Sequence, residues 1–236
     1  MVHEAGNTKK ARLGILMLDT RFPRVPGDVG NAATWPFPVR FGVVAGATPQ
    51  AIVCEDISPF VDAFVAKGKE LVAEGCTGIA TTCGFLAPIR PRLADALGVP
   101  VAASALEQFA QISANLPPGA CVGILTISKT SLTAQHLEAA GVAPDAPIAG
   151  MEGTGFADAI LNNRESLDVP AARAEMVAVA EGLVRAHPEV GAVLLECTNM
   201  PPYAPDIAHA TGRPVFSIVS YLRWFQVGLL PPRFGD

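Results

Sequence analysis

Gly78-Ile79-Ala80-Thr81-Thr82-Cys83 and Ala192-Val193-Leu194-Leu195-Glu196-Cys197 are the two stretches on which the reading of this chain turns. Each is a short apolar run ending in a cysteine, with a proline five residues further on at Pro88 and Pro202. A shift of 114 residues carries Cys83 onto Cys197. The same shift aligns Leu93-Ala94-Asp95-Ala96-Leu97-Gly98-Val99-Pro100-Val101 with Ile207-Ala208-His209-Ala210-Thr211-Gly212-Arg213-Pro214-Val215, where five of nine pairs are identical. Leu13-Gly14-Ile15-Leu16 echoes Val122-Gly123-Ile124-Leu125 at a slightly different offset, as a loop of unequal length would produce.

Outward from these stretches, short apolar runs alternate with longer helical patterns, which favours parallel sheets covered by helices. Strands are expected at 13–18, 39–45, 76–81, 99–102, 120–126, 192–196 and 214–216. Helices are expected over 59–74 behind Ser58, 85–97 ending at Gly98, 104–115 behind Ser104, and then near 130–140, 154–162, 171–187, 203–211 and 218–229. The fold class is therefore α/β, with two similar lobes, each a mainly parallel sheet flanked by helices, related by a pseudo-twofold with a cleft between them. The N-terminal lobe spans 13–118, with part of the C-terminal helix packing on it, and the C-terminal lobe spans 119–230. Residues 1–12 form a polar tail. Residues 21–50 hold Pro23, Pro26, Gly27, Gly30, Pro36 and Pro38 and read as loop chemistry, either a lid over the cleft or a surface insertion packed by Trp35 and Phe37.

Composition narrows the partner. Among 236 residues half are hydrophobic, only 17% are charged, and the net charge of −5 leaves no basic patch for a nucleic acid. The expected partner is a small soluble molecule. The apolar run after Arg12 stops at Asp19, too short for a signal core, and no segment reaches eighteen uninterrupted apolar residues. A cytoplasmic setting with reduced thiols is expected. The five cysteines include no C-x-x-C pair and the four histidines are scattered, so no metal site is expected. Cys54, Cys76 and Cys121 have no counterpart under the repeat and read as packing residues.

Cys83 and Cys197 read differently. At the carboxyl ends of parallel strands, loops run into helix N-termini, where first-turn amides favour an anion and lower a thiol's pKa. Two such thiols facing one another across a cleft suit a 1,1-proton transfer: one removes a proton from a stereogenic carbon and the other returns one to the opposite face. Glu196, one residue before Cys197, is expected to point away from the thiol, because successive side chains on a strand alternate.

These motifs, with Leu16-Met17-Leu18-Asp19-Thr20, Thr81-Thr82-Cys83-Gly84-Phe85 and Glu196-Cys197-Thr198-Asn199-Met200-Pro201, resemble the aspartate/glutamate racemase superfamily, which includes hydantoin racemases, maleate isomerases and arylmalonate decarboxylases. The resemblance covers nearly the whole chain. It implies a cofactor-independent racemase or epimerase acting on a small amino acid, related carboxylate or hydantoin, with Cys83 and Cys197 catalytic, and a homodimer as a common assembly. Asp19, Thr20, Gly84, Phe85, Thr126, Ser128, Thr130, Thr198 and Asn199 fall where the family holds substrate. Asp19 is a candidate to orient substrate or tune Cys83, with a loop cap as the alternative, and a helix cap explains Ser128 equally well. Arg21, Arg24 and Arg40 are candidates to meet a second carboxylate or are simply solvated.

Two departures stand out. Amino-acid racemases of the family usually continue the first cysteine with Asn-Thr, where this chain has Gly84-Phe85. Glutamate racemases typically carry a histidine two residues after the second cysteine, where this chain has Asn199. A maleate-type cis–trans isomerase also needs two cysteines, an arylmalonate-type decarboxylase resembles the fold with only the second, and a non-catalytic binding homologue is the remaining alternative.

Overall fold

A computed structural model describes residues 11–234, so most of the polar segment read as a tail lies outside the described residues. Strands β1 (Leu13–Leu18), β2 (Val39–Val44), β3 (Gly78–Thr81) and β4 (Val101–Ala102) form one sheet in the order β2-β1-β3-β4. Strands β5 (Cys121–Thr126), β6 (Ile148–Gly150), β7 (Val190–Leu195) and β8 (Val215–Phe216) form a second in the order β6-β5-β7-β8. Every pairing is parallel. The two sheets share one strand order, which is what an internal repeat demands. Chain is almost fully buried along β1, β3, β5 and β7, giving the continuous apolar runs of sheets covered on both faces.

The helices are α1 (Pro49–Val53), α2 (Val61–Ala73), α3 (Arg90–Leu97), α4 (Phe109–Ala114), α5 (Ala134–Ala139), α6 (Gly155–Leu161), α7 (Val169–Ala186), α8 (Ala204–Thr211) and α9 (Ile218–Leu229). Helices form where the patterns place them, but not always as α-helix. The segment after Cys83 begins as a 3₁₀ turn over Gly84–Ile89, with Pro88 inside it, and becomes α-helical only at Arg90. Ser104 does cap, through a capping box with Glu107, but a 3₁₀ turn precedes α4. Ser58 caps nothing; its hydroxyl and amide donate to Asp56, and α2 starts three residues later. The pattern near 130–140 shortens to α5, capped by Thr133.

Two elements escaped the sequence reading. Strand β6 is three half-buried residues, too short for a period of two to show. Helix α1 is a single turn at the end of the proline-rich segment, although Thr48 caps it and Pro49 opens it, both ordinary start signals.

The repeat extends to helix ends. α3 stops at Gly98 (φ 65°) and α8 at Gly212 (φ 64°), both left-handed and donating to the carbonyl four residues back. A Cβ at either position meets nothing within 4 Å, so only backbone strain opposes a side chain there. Gly98→Ala and Gly212→Ala are each expected to cost about 1 kcal/mol, read as a lowered urea midpoint with an unchanged slope.

Helix α9 crosses back to the first lobe. Leu229 and Phe225 lie against Gly78 of β3, and the Tyr221 hydroxyl donates to Glu107 at 2.9 Å. Among the described residues no helix is long and apolar enough to cross a membrane.

Candidate active site

Strands β3 and β7 end at Thr81 and Leu195, and the loops that follow bring Thr82-Cys83-Gly84-Phe85 and Glu196-Cys197-Thr198-Asn199 into the walls of one narrow, buried cleft. Leu18, Thr20, Phe22, Arg24, Val53 and Ile127 are among its other walls. The two loops are tied directly: the Thr198 hydroxyl donates to the Thr82 carbonyl at 2.7 Å. Thr82 is itself fixed, its hydroxyl accepting from the Leu18 amide at 3.0 Å.

The thiols are buried, Cys83 at 7% and Cys197 at 6% exposure. The Cys197 thiol donates to Asn199 Oδ1 at 3.5 Å, and the backbone amides of Phe85 and Asn199 draw the Cys83 and Cys197 thiols, respectively, downward. These matched amides favour a thiolate. Burial nevertheless drives both thiols well above their ordinary range, and the Glu196 carboxylate pushes both further. Two smaller influences differ: Arg24 draws Cys83 down, whereas Asp28 pushes Cys197 up.

The expectation that Glu196 faces away from the thiols is corrected. The extended strand ends at Leu195, so the alternation of side chains is not carried into Glu196 and Cys197, and both line the cleft. Glu196 is 1% exposed, its Oε2 accepting from the Thr126 hydroxyl at 2.9 Å. Its other oxygen lies where a side chain at position 84 would begin: a Cβ built on Gly84 falls 2.2 Å from Oε1. The glycine that departs from the Asn-Thr pattern is therefore the residue that makes room for this carboxylate.

Burial lifts Glu196 from near 4.5 to about 7, although hydrogen bonds from Thr126 and the Ile127 amide oppose the shift. Between those values the folded chain keeps a proton that the unfolded chain has released, so stability falls as pH rises through the window and is lowest above it. Glu107 is shifted in the same direction by burial, so the variant must be compared with the parent at each pH. Glu196→Gln is expected to leave stability unchanged near pH 4 and to raise it by about 3 kcal/mol near pH 8, measured by urea unfolding across pH.

Of the other residues singled out in the sequence, Thr20, Gly84, Phe85, Thr198 and Asn199 line the cleft. Four do not. Asp19 is exposed and caps a turn, its carboxylate accepting from the Gly46 amide at 3.0 Å. Thr126 acts behind Glu196. Ser128 turns to Thr130 and Ser131, and Thr130 is exposed on an outer hollow beyond Phe85. Their strand β5 ends as expected, but the chain turns away from the cleft within two residues.

The segment 21–50 supplies what the sequence left open. Phe22 and Arg24 form a wall of the cleft, and Asp28 clamps the second cysteine loop by accepting from Asn199 Nδ2 at 2.5 Å. Arg24 is held in turn by Asp28 at 2.7 Å and by Thr20, with its guanidinium 5.0 Å above the Phe22 ring. The Val29 amide donates to the Thr198 carbonyl, and Trp35 Nε1 donates to the Val29 carbonyl. Arg21 is exposed, and Arg40 pairs with Glu74 on the outside.

This paired-cysteine cleft between repeated lobes coincides with a match to the model for Asp/Glu/Hydantoin racemase over residues 44–224. The chain belongs to that family. Among its relatives is a dimethylsulfoniopropionate lyase from Durusdinium sp. clade D, 30% identical over 97% of this chain and 79% of that protein. Dimethylsulfoniopropionate lyase 6 of Emiliania huxleyi is 27% identical over 94% of this chain, which spans 61% of that longer protein. Solved structures share the fold over most of the chain at lower identity. Arylmalonate decarboxylase gives a TM-score of 0.60 at 15% identity, covering 94% of both chains. Picrophilus torridus aspartate racemase gives 0.57 at 15%, covering 95% of this chain and 96% of that one.

Proposed function

We propose that this protein removes the proton α to a small carboxylate by a cysteine thiolate and expels a β-substituent, a lyase reaction, with no redox step. The observation that carries the reading is the enclosure of both thiols in one buried cleft that also holds Arg24. Arg24 draws Cys83 down while Asp28 pushes Cys197 up, which favours Cys83 as the base. Arg24 also offers a cation for the substrate carboxylate, and Cys197 presents a protonated thiol to the opposite face of the carbanion.

The relatives favour elimination as the next event. With dimethylsulfoniopropionate, the electron pair left by the α-proton forms the new carbon–carbon double bond while the carbon–sulfur bond breaks. Dimethyl sulfide leaves with the bonding pair, acrylate remains, and the proton rests on Cys83 until solvent takes it. Racemisation shares the first step and differs only in that Cys197 returns a proton to the other face; the matched thiols are the observation that supports it. Incubation with dimethylsulfoniopropionate is expected to release dimethyl sulfide and acrylate in equal amounts. Absence of both, with loss of optical rotation from an amino acid or hydantoin, would establish racemisation instead.

A further inference from the structure

Neither thiol's role uses Glu196, yet the cleft is built around it. Its carboxylate is fixed by Thr126, accommodated by the missing side chain at Gly84, and lines the same cleft as the two thiols. Among the described residues no salt bridge reaches it; the one cationic side chain in the cleft wall, Arg24, is paired with Asp28. A buried carboxylate without a counter-ion is costly to keep ionised. Beside the polar Thr20, Thr82, Thr198 and Asn199, the cleft walls carry an apolar and aromatic share: Leu18, Phe22, Phe85, Ile127 and Ile160. Such a surface accepts methyl groups, and aromatic faces attract a cation.

We propose that Glu196 is a specificity-determining residue that pairs with a positively charged substituent of the substrate, so that the cleft selects small zwitterions, carboxylates bearing a sulfonium or quaternary ammonium group. Arg24 and Glu196 then supply opposite charges to the two ends of one molecule. This deepens the lyase reading and rests on it for the substrate class. It also gives the cation a second effect. Glu196 is one of the groups that keep both thiols protonated, and a fixed positive charge beside it offsets that influence when substrate is present.

The test compares two carboxylates of the same shape, the zwitterion 3-(trimethylammonio)propanoate and its carbon analogue 4,4-dimethylpentanoate, which lacks the cationic centre. Their binding to the full chain is measured by calorimetry at about pH 8, above the raised value of Glu196. The parent is expected to prefer the zwitterion by at least about ten-fold, and Glu196→Gln to reduce that preference to about one with the affinity for 4,4-dimethylpentanoate within about three-fold. Gln keeps the acceptor for Thr126, and the parent's own preference needs no variant. Equal binding of the two probes by the parent, or an undiminished preference in the Gln variant, would overturn the proposal. The outcomes separate it from the lyase reading: preference for the zwitterion without dimethyl sulfide release sinks the reaction and keeps the role of Glu196. Release without preference does the reverse.

Discussion

Cys83→Ser is expected to lower turnover by about a thousandfold while the fold is retained. A hydroxyl is a far weaker acid than a thiol, so serine cannot supply the base, and a positioned general base contributes roughly 10²–10⁴-fold. Sulfur-to-oxygen replacement removes little volume from a site only 7% exposed, so unfolding should barely move. Cys197→Ser separates the chemistries. In elimination the opposite thiol only donates to the carbanion, and its loss is expected to cost about ten- to a hundredfold. In racemisation its loss matches that of Cys83, because the returning proton comes from it. The double variant should fall little below Cys83→Ser alone, since groups acting on one reacting centre are not additive. Steady-state rates of dimethyl sulfide release and polarimetry on the three variants provide the comparison.

Gly84→Ala is the second large effect. The added Cβ would sit 2.2 Å from Glu196 Oε1 and 3.0 Å from Ser104 Oγ, distances that force the carboxylate to leave its place. Glu196 has little freedom to yield, being held by Thr126 and fully enclosed. A destabilisation of about 2–3 kcal/mol is expected from overpacking at a buried polar contact. Pairing the change with Glu196→Ala should recover much of it, giving an interaction energy of about 1–2 kcal/mol in a double-mutant cycle by urea unfolding. Simple additivity would mean that the two residues do not share the space.

This pair also shows where the sequence was legible and where it was not. Repetition of Cys83 and Pro88 in Cys197 and Pro202, and of Gly98 in Gly212, is local in the chain, and it led to two α/β lobes and the two thiols. The relation between Gly84 and Glu196 is not local. It joins one lobe's first turn to the other's strand end, and neither residue alone announces the contact. Alternation along a strand gave the wrong side for Glu196 because the pleat ends at Leu195. For Asp28 no periodic signal exists; its value lies in meeting Asn199, 171 positions away, and Arg24 one turn back. A carboxylate four residues after an arginine in an irregular segment is compatible with many surface pairs, and only the fold buries this one. Conversely, Thr126, Ser128 and Thr130 sit at a strand end where ligands gather in such sheets, yet hydrogen bonding turns them to Glu196 and to their own loop.

The central claim is that the paired thiols act on a carbon acid, and hydrogen–deuterium exchange at that carbon tests it most directly. In deuterated buffer, 3-(trimethylammonio)propanoate, whose amine leaves poorly, is followed by proton NMR with the parent and with the Cys83→Ser, Cys197→Ser double variant. The parent is expected to wash deuterium into the α-position and the double variant to show no exchange above buffer. Exchange that persists at the parental rate after both thiols are gone would contradict the account.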